Sequence, residues 1–66
     1  MQLIVNGEAR EYLGEPKLGN FLASIDLPSK MVVVELNGEI ARRETYDEMP
    51  LRDGDQLEIV QMMAGG

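Results

Sequence analysis

The chain of 66 residues has neither cysteine nor histidine. Without cysteine there is no disulfide scaffold and no thiolate nucleophile. Without histidine no unperturbed side chain titrates near neutrality for general-base work. The two absences together exclude a Cys/His zinc site. Basic residues are scarce, six Lys and Arg against twelve Asp and Glu, for a net charge of −6. That balance argues against nucleic acid, whose phosphates require clustered cations. It leaves two uses for the acidic charge, solubility alone or steering toward a basic partner. Long hydrophobic runs are missing too. The longest extends from Met31 to Val34, far short of the roughly 20 residues that span a bilayer. The first residues, MQLIVNGEAR, turn polar too early to read as a secretory leader. A soluble, monomeric, cytoplasmic protein with no membrane association is expected.

What is present suffices for one small domain over residues 1–66, resting on a single apolar core. Leu3 and Val5 alternate in the opening segment, and Asn6-Gly7 follows at once. Asn-Gly favours a two-residue hairpin turn because both central positions need positive φ. Residues 1–5 and 8–13 are therefore expected to pair antiparallel. Gly14-Glu15-Pro16 breaks the pattern. Leu18, Phe21, Leu22 and Ile25 then recur at the spacing of a helical stripe. Gly19 weakens that helix by about 1 kcal/mol, and Pro28 is expected to end it. MVVVEL (31–36) reads as a central strand. Asn37-Gly38 leads into a short return arm at Glu39-Ile40. Residues 41–50 are polar and irregular, with room for one helical turn. Asp53-Gly54-Asp55 makes a tight turn before the last strand, QLEIVQ.

One helix and four or five strands imply a two-layer α+β domain. Leu3, Val5, Val32, Val34, Leu36, Leu57 and Ile59 fall on the face toward the helix. The first and last strands are too apolar for edges, so they belong side by side in the centre, parallel. Their long connection then holds the helix, as parallel neighbours require. A mixed sheet gripping one helix is the β-grasp, or ubiquitin-like roll.

Ordinary catalysis finds little support in these residues. Ser24 and Ser29 have no base in view, and no carboxylate sits in an apolar setting that would raise its pKa. Asp47, Glu48, Asp53 and Asp55 lack the ligand spacing of a calcium loop, and turn chemistry accounts for them better. A pocket of several hundred Å3 beside so small a core is not expected. One reactive group remains, the terminal carboxylate of Gly66. Gly65 and Gly66 carry no Cβ and can thread a narrow channel in another protein. From Met63 outward, residues 63–66 form an expected flexible tail reaching roughly 13 Å at about 3.3 Å per residue. Simple fraying is the alternative reading of such an end.

Alternation also leaves Ile4, Val33, Val60 and Met62 on the face away from the helix, where a half-exposed sheet is ordinarily polar. Neighbouring central strands would gather them into one apolar patch beside the tail. Met62 and Met63, flexible and polarizable, suit a surface that meets several partners, and Ala64 continues it toward the glycines. Scattered surface hydrophobes are the alternative.

Three segments, VNGEAREY, VVVELNGEIARRETYDE and LRDGDQLEIVQMMAGG, resemble the ThiS-type sulfur carrier proteins of thiamin biosynthesis, relatives of MoaD. The resemblance covers the whole chain. It implies that a ThiF-like, E1-like enzyme uses ATP and magnesium to adenylate Gly66. Sulfur from cysteine, delivered through a cysteine desulfurase persulfide, then yields a C-terminal thiocarboxylate. A ThiG-like thiazole synthase accepts that sulfur. Gly65 and Gly66 are the positions that match the family motif, and the carrier itself is a co-substrate that binds no cofactor and is not an enzyme. RRETY stands where many members have a proline or tryptophan nearby, and MMAGG where many have VGGG. These departures bear on partner preference more than on sulfur carriage. Three other readings stand beside this one: a sulfur carrier for a molybdopterin-like or amino-acid pathway, a ubiquitin-like modifier joined through Gly66, and an interaction domain that makes no use of its terminus.

Overall fold

Two Asn-Gly turns and the alternation of apolar residues organise the sheet, and the computed structural model describes residues 1–62. The expected tail, residues 63–66, lies outside that span. Strands β1 (Gln2–Val5) and β2 (Glu8–Glu11) pair antiparallel. Asn6 (φ 50°) and Gly7 (φ 84°) turn the chain between them, both in the left-handed region that a type I′ turn demands. Helix α1 (Leu18–Ser24) follows, then a 3₁₀ turn (Ser29–Met31) and strand β3 (Val32–Leu36). Asn37-Gly38 repeats the turn (φ 52° and 87°) into the two-residue β4 (Glu39–Ile40). A second 3₁₀ turn (Arg43–Thr45) precedes β5 (Gln56–Gln61). The five strands lie in the order β2-β1-β5-β3-β4. The first and last strands are adjacent and parallel, with Ile4 beside Gln56 and Val5 beside Leu57. This is the mixed sheet on one helix of a β-grasp.

Leu3, Val32, Val34, Leu57 and Ile59 are buried under Leu18, Phe21 and Leu22 of α1, and Val5, Leu36 and Ile25 pack at the margin. Each fully buried side chain of this size contributes about 1.5–3 kcal/mol. Tyr12, Ala41, Tyr46 and Leu51 join the same core, although they lie in segments with no apolar period. Tyr12 meets Phe21 edge-on at 5.1 Å. The Tyr46 hydroxyl donates to the Val32 carbonyl at 3.2 Å, satisfying a strand edge that β4 is too short to cover.

Three expectations are corrected. The second arm of the hairpin ends at Glu11, because Tyr12 turns inward and leaves Leu13 exposed. The helix stops at Ser24 well before Pro28. Its terminator is Asp26, left-handed at φ 60°, with Asp26 N–H donating to Ala23 C=O and Leu27 N–H to Leu22 C=O. That pairing is the Schellman arrangement. Gly19, read as a weakness of the helix, has a use: its N–H donates to Tyr46 C=O at 2.8 Å. A Cβ there would come within 3.0 Å of the Asp47 Cα and closer still to its carboxylate.

Candidate docking face and reactive end

Period-two alternation carries Ile4, Val33, Glu35, Glu58 and Val60 to the open side of the sheet, opposite α1. Val33 and Val60 are direct cross-strand partners. Val60 is 62% exposed and Met62 49%, so both are open to solvent. The Met62 N–H donates to the Met31 carbonyl at 2.6 Å, so the β3–β5 ladder continues to the last described residue. Val33, Val60 and Met62 thus come together at the end of β5, beside the last described residue.

Ile4 does not join them. It stands beside Gln56, four positions before Val60 on the same strand, or about 13 Å away at ~3.3 Å per residue. Between them lies a row in which Glu35 and Glu58 face each other directly. Opposed like charges destabilise a strand pair, and this pair divides the face into a small apolar cluster and a separate Ile4. Met63, Ala64, Gly65 and Gly66 lie outside the described residues.

Asparagine side chains tie the last strand in place. Asn6 Oδ1 accepts from the Ile59 N–H at 2.7 Å, and its Nδ2 donates to the Ile59 C=O at 3.2 Å. One amide thereby substitutes for the residue that β1 would have needed to continue its ladder with β5. Asn37 repeats the device at the other end of β5. Its Oδ1 accepts from the Gln56 N–H at 2.9 Å, and its Nδ2 donates to Asp55. Sequence reasoning assigned both asparagines to turns and missed these bonds. The only sequence signal was the same Asn-Gly pair occurring next to two strands that must neighbour β5.

The acidic residues behave as turn groups. Asp53 accepts from the Gln2 N–H and Asp55 from the Arg52 N–H. Among the described residues no cluster of carboxylates is arranged to hold a metal ion. The Ser24 hydroxyl donates to the Phe21 carbonyl at 2.6 Å within its own helix. Glu44 is held below the usual carboxylate range, first by a backbone hydrogen bond and then by Arg42. Burial, and secondarily the Glu15 carboxylate, pushes the Tyr12 phenol up. An open surface groove of about 310 Å3 runs along the first hairpin, lined by Val5, Asn6, Glu8, Ala9 and Arg10, all but Val5 exposed. Among the described residues no helix is long and apolar enough to cross a membrane.

Comparison with known proteins adds to this geometry. A family model described as the ThiS family matches residues 3–66. The sulfur carrier protein ThiS of Bacillus subtilis is 47% identical over 47 residues, 71% of each chain. The thiazole synthase of Paramagnetospirillum magneticum is 36% identical over all 66 residues, which make up 20% of that protein. The chain therefore spans about a fifth of the thiazole synthases it matches. The crystal structure of the thiamine biosynthesis protein ThiS from Geobacter metallireducens superimposes with a TM-score of 0.82 at 35% identity, covering all of both chains.

Proposed function

The chain belongs to the ThiS family, the sulfur carrier proteins of thiamin biosynthesis, and from that premise we propose how it carries its cargo. The Gly66 carboxylate is the carrying group. A ThiF-like enzyme that uses magnesium transfers an adenylyl group to it from ATP, and pyrophosphate leaves. The resulting mixed anhydride is an electrophile at the glycine carbonyl. The terminal sulfur of a persulfide supplied by a cysteine desulfurase attacks that carbonyl, AMP leaves, and an acyl disulfide forms; a second thiol then attacks the donor-side sulfur, releasing the thiocarboxylate and leaving a disulfide on the donor. A ThiG-like synthase takes that sulfur into the thiazole. The carrier supplies recognition and reach and its partners supply the catalysis, so it is a co-substrate of the cytoplasm and not an enzyme.

The observation that carries this reading is the match of the family across residues 3–66, the terminal glycines included. Two others support it. A stretch similar to this whole chain lies within proteins named thiazole synthase, in keeping with a synthase as acceptor. The apolar cluster of Val33, Val60 and Met62 stands at the last described residue, and four further residues can reach at most roughly 13 Å at ~3.3 Å per residue. An enzyme that takes up Gly66 must therefore approach this cluster, with Met63, Ala64 and Gly65 lining the way in.

Incubation with the activating enzyme, ATP, a persulfide donor and a thiol reductant, followed by intact mass measurement, tests the reading. The expected product has one terminal oxygen replaced by sulfur. Conjugates linked from Gly66 to a protein lysine would instead identify a modifier. An unchanged mass with an enzyme that is demonstrably active would sink the proposal.

A further inference from the structure

We propose that the enzyme receiving the tail pairs one of its own extended segments with the backbone of Gln61, along the side of β5 that β1 leaves uncovered. The inference rests on the sulfur-carrier reading and deepens it by naming the kind of contact the partner makes.

The register carries the argument. In the β3–β5 pair, Met62 N–H points to β3 and bonds to Met31. Val33–Val60 and Glu35–Glu58 lie two and four residues further in along the same register. Backbone groups alternate sides along a strand, so those of Leu57, Ile59 and Gln61 point the other way, toward β1. Each of the first two is occupied. Leu57 C=O accepts from the Asn6 N–H at 2.8 Å. Ile59 gives its N–H to, and receives a bond at its C=O from, the Asn6 amide. Beyond that point the hairpin has already turned at Asn6-Gly7 and is heading away in β2. Among the described residues no group bonds the N–H or the C=O of Gln61, and the residue is exposed.

A donor and an acceptor are therefore presented on the flank of an otherwise ordered strand, one residue before Met62. This is the arrangement to which an extended segment adds by strand pairing, with affinity from main-chain bonds. The distance constraint names the occupant. Residues 63–66 span only about 13 Å at ~3.3 Å each, so an enzyme holding the Gly66 carboxylate lies within reach of Gln61. A second copy of the chain has no such reason to be there. The contact is also indifferent to side chains, which lets one carrier present the same feature to an activating enzyme and to a sulfur acceptor.

The test compares Gln61→Ala, which keeps the N–H, with Gln61→Pro, which removes it. Proline is compatible with a strand position whose N–H faces no partner within the sheet. Binding to the ThiF-like activating enzyme is measured by calorimetry, with thermal melts to establish folding. Gln61→Ala is expected to bind within about twofold of the parent, and Gln61→Pro about tenfold or more weakly. Amide hydrogen exchange supplies an independent readout that does not depend on the proline variant folding. The Gln61 amide should exchange freely in the carrier alone and become protected in the complex. A folded Gln61→Pro that binds like the parent would overturn the inference. So would a Gln61 amide that stays unprotected while the complex forms. Failure of the parent to acquire sulfur would instead bring down the functional reading beneath it.

Discussion

Replacing Asn6 by alanine should cost about 3 kcal/mol, a large share of the stability available to a chain this small. The side chain makes two hydrogen bonds to Ile59, at 2.7 and 3.2 Å, each with a net contribution of about 1 kcal/mol. The Ile59 N–H and C=O they satisfy are only partly reachable by water, so their loss carries an added desolvation cost. Asn6 also sits at φ 50°, where alanine is disfavoured by about 1 kcal/mol or more. A domain of 66 residues has a total stability on the order of 3–10 kcal/mol. The loss corresponds to a fall in melting temperature of about 12–24 °C, at roughly 4–8 °C per kcal/mol for domains of this size. Urea titration of the parent, Asn6→Ala and Asn6→Gly separates the contributions. Glycine relieves the backbone strain but not the missing bonds, so it should cost about 2 kcal/mol. Asn6→Asp keeps the acceptor for Ile59 N–H and sets a charged oxygen against Ile59 C=O, which should also destabilise. The dependence on urea should keep its slope in all variants, since the surface exposed on unfolding is unchanged. A loss below about 1 kcal/mol for Asn6→Ala would refute the claim that this amide stands in for a strand residue.

Asp26→Gly should stabilise the fold by about 0.5–1 kcal/mol, because glycine fits the left-handed helix terminus that aspartate holds at φ 60°; a melt that rises by a few degrees would show it. Val60→Asp should leave stability within about 1 kcal/mol of the parent, since Val60 is largely exposed, yet slow sulfur loading in a steady-state assay. Unfolding of that variant would mean the strand faces have been assigned the wrong way round. The raised Tyr12 pKa, caused first by burial and then by Glu15, makes the neutral phenol the form the fold prefers. Its contribution is therefore complete below the ordinary tyrosine pKa of about 10 and is lost as pH rises through the higher folded value. Denaturant titrations between pH 9 and pH 11 should show a decline that Tyr12→Phe makes shallower.

Much of the architecture is legible in the residues because burial leaves a periodic trace. The apolar weight of MQLIV and QLEIVQ argues for two central strands, and the long connection holding Leu18, Phe21, Leu22 and Ile25 makes them parallel. The observed order β2-β1-β5-β3-β4 agrees. Alternation also puts Val33 and Val60 on the correct face. It cannot place Ile4, because a period of two specifies which face a residue takes and not how far one strand is staggered along its neighbour. That stagger comes from the turns, from Asn6 on Ile59 and Asn37 on Gln56, where single side chains reach across to β5. Tyr12, Tyr46 and Leu51 enter the core from loops, where no period exists to announce them. Gly19 illustrates the same limit. Its helix propensity is readable, but its contact with the Asp47 backbone depends on a segment far along the chain. Gly66 is proposed as the carrying group from the elimination of other chemistry together with the family resemblance, and it lies outside the described residues.

The parallel placement of β1 beside β5 has a consequence for handling the protein and for joining it to others. Gly54 N–H donates to Gln2 C=O, so residue 1 sits at the end of the sheet where β5 begins, and Met62 sits where β5 finishes. Residue 1 and Met62 therefore lie toward opposite ends of the sheet. A protein held at its first residue, by a surface, a tag or a longer polypeptide, keeps Met62 clear of the attachment. Attachment on that side need only respect the Met1 ammonium, which donates to the Tyr12 carbonyl at 2.8 Å. Tethering therefore changes how often the carrier meets an enzyme without changing what it presents on arrival.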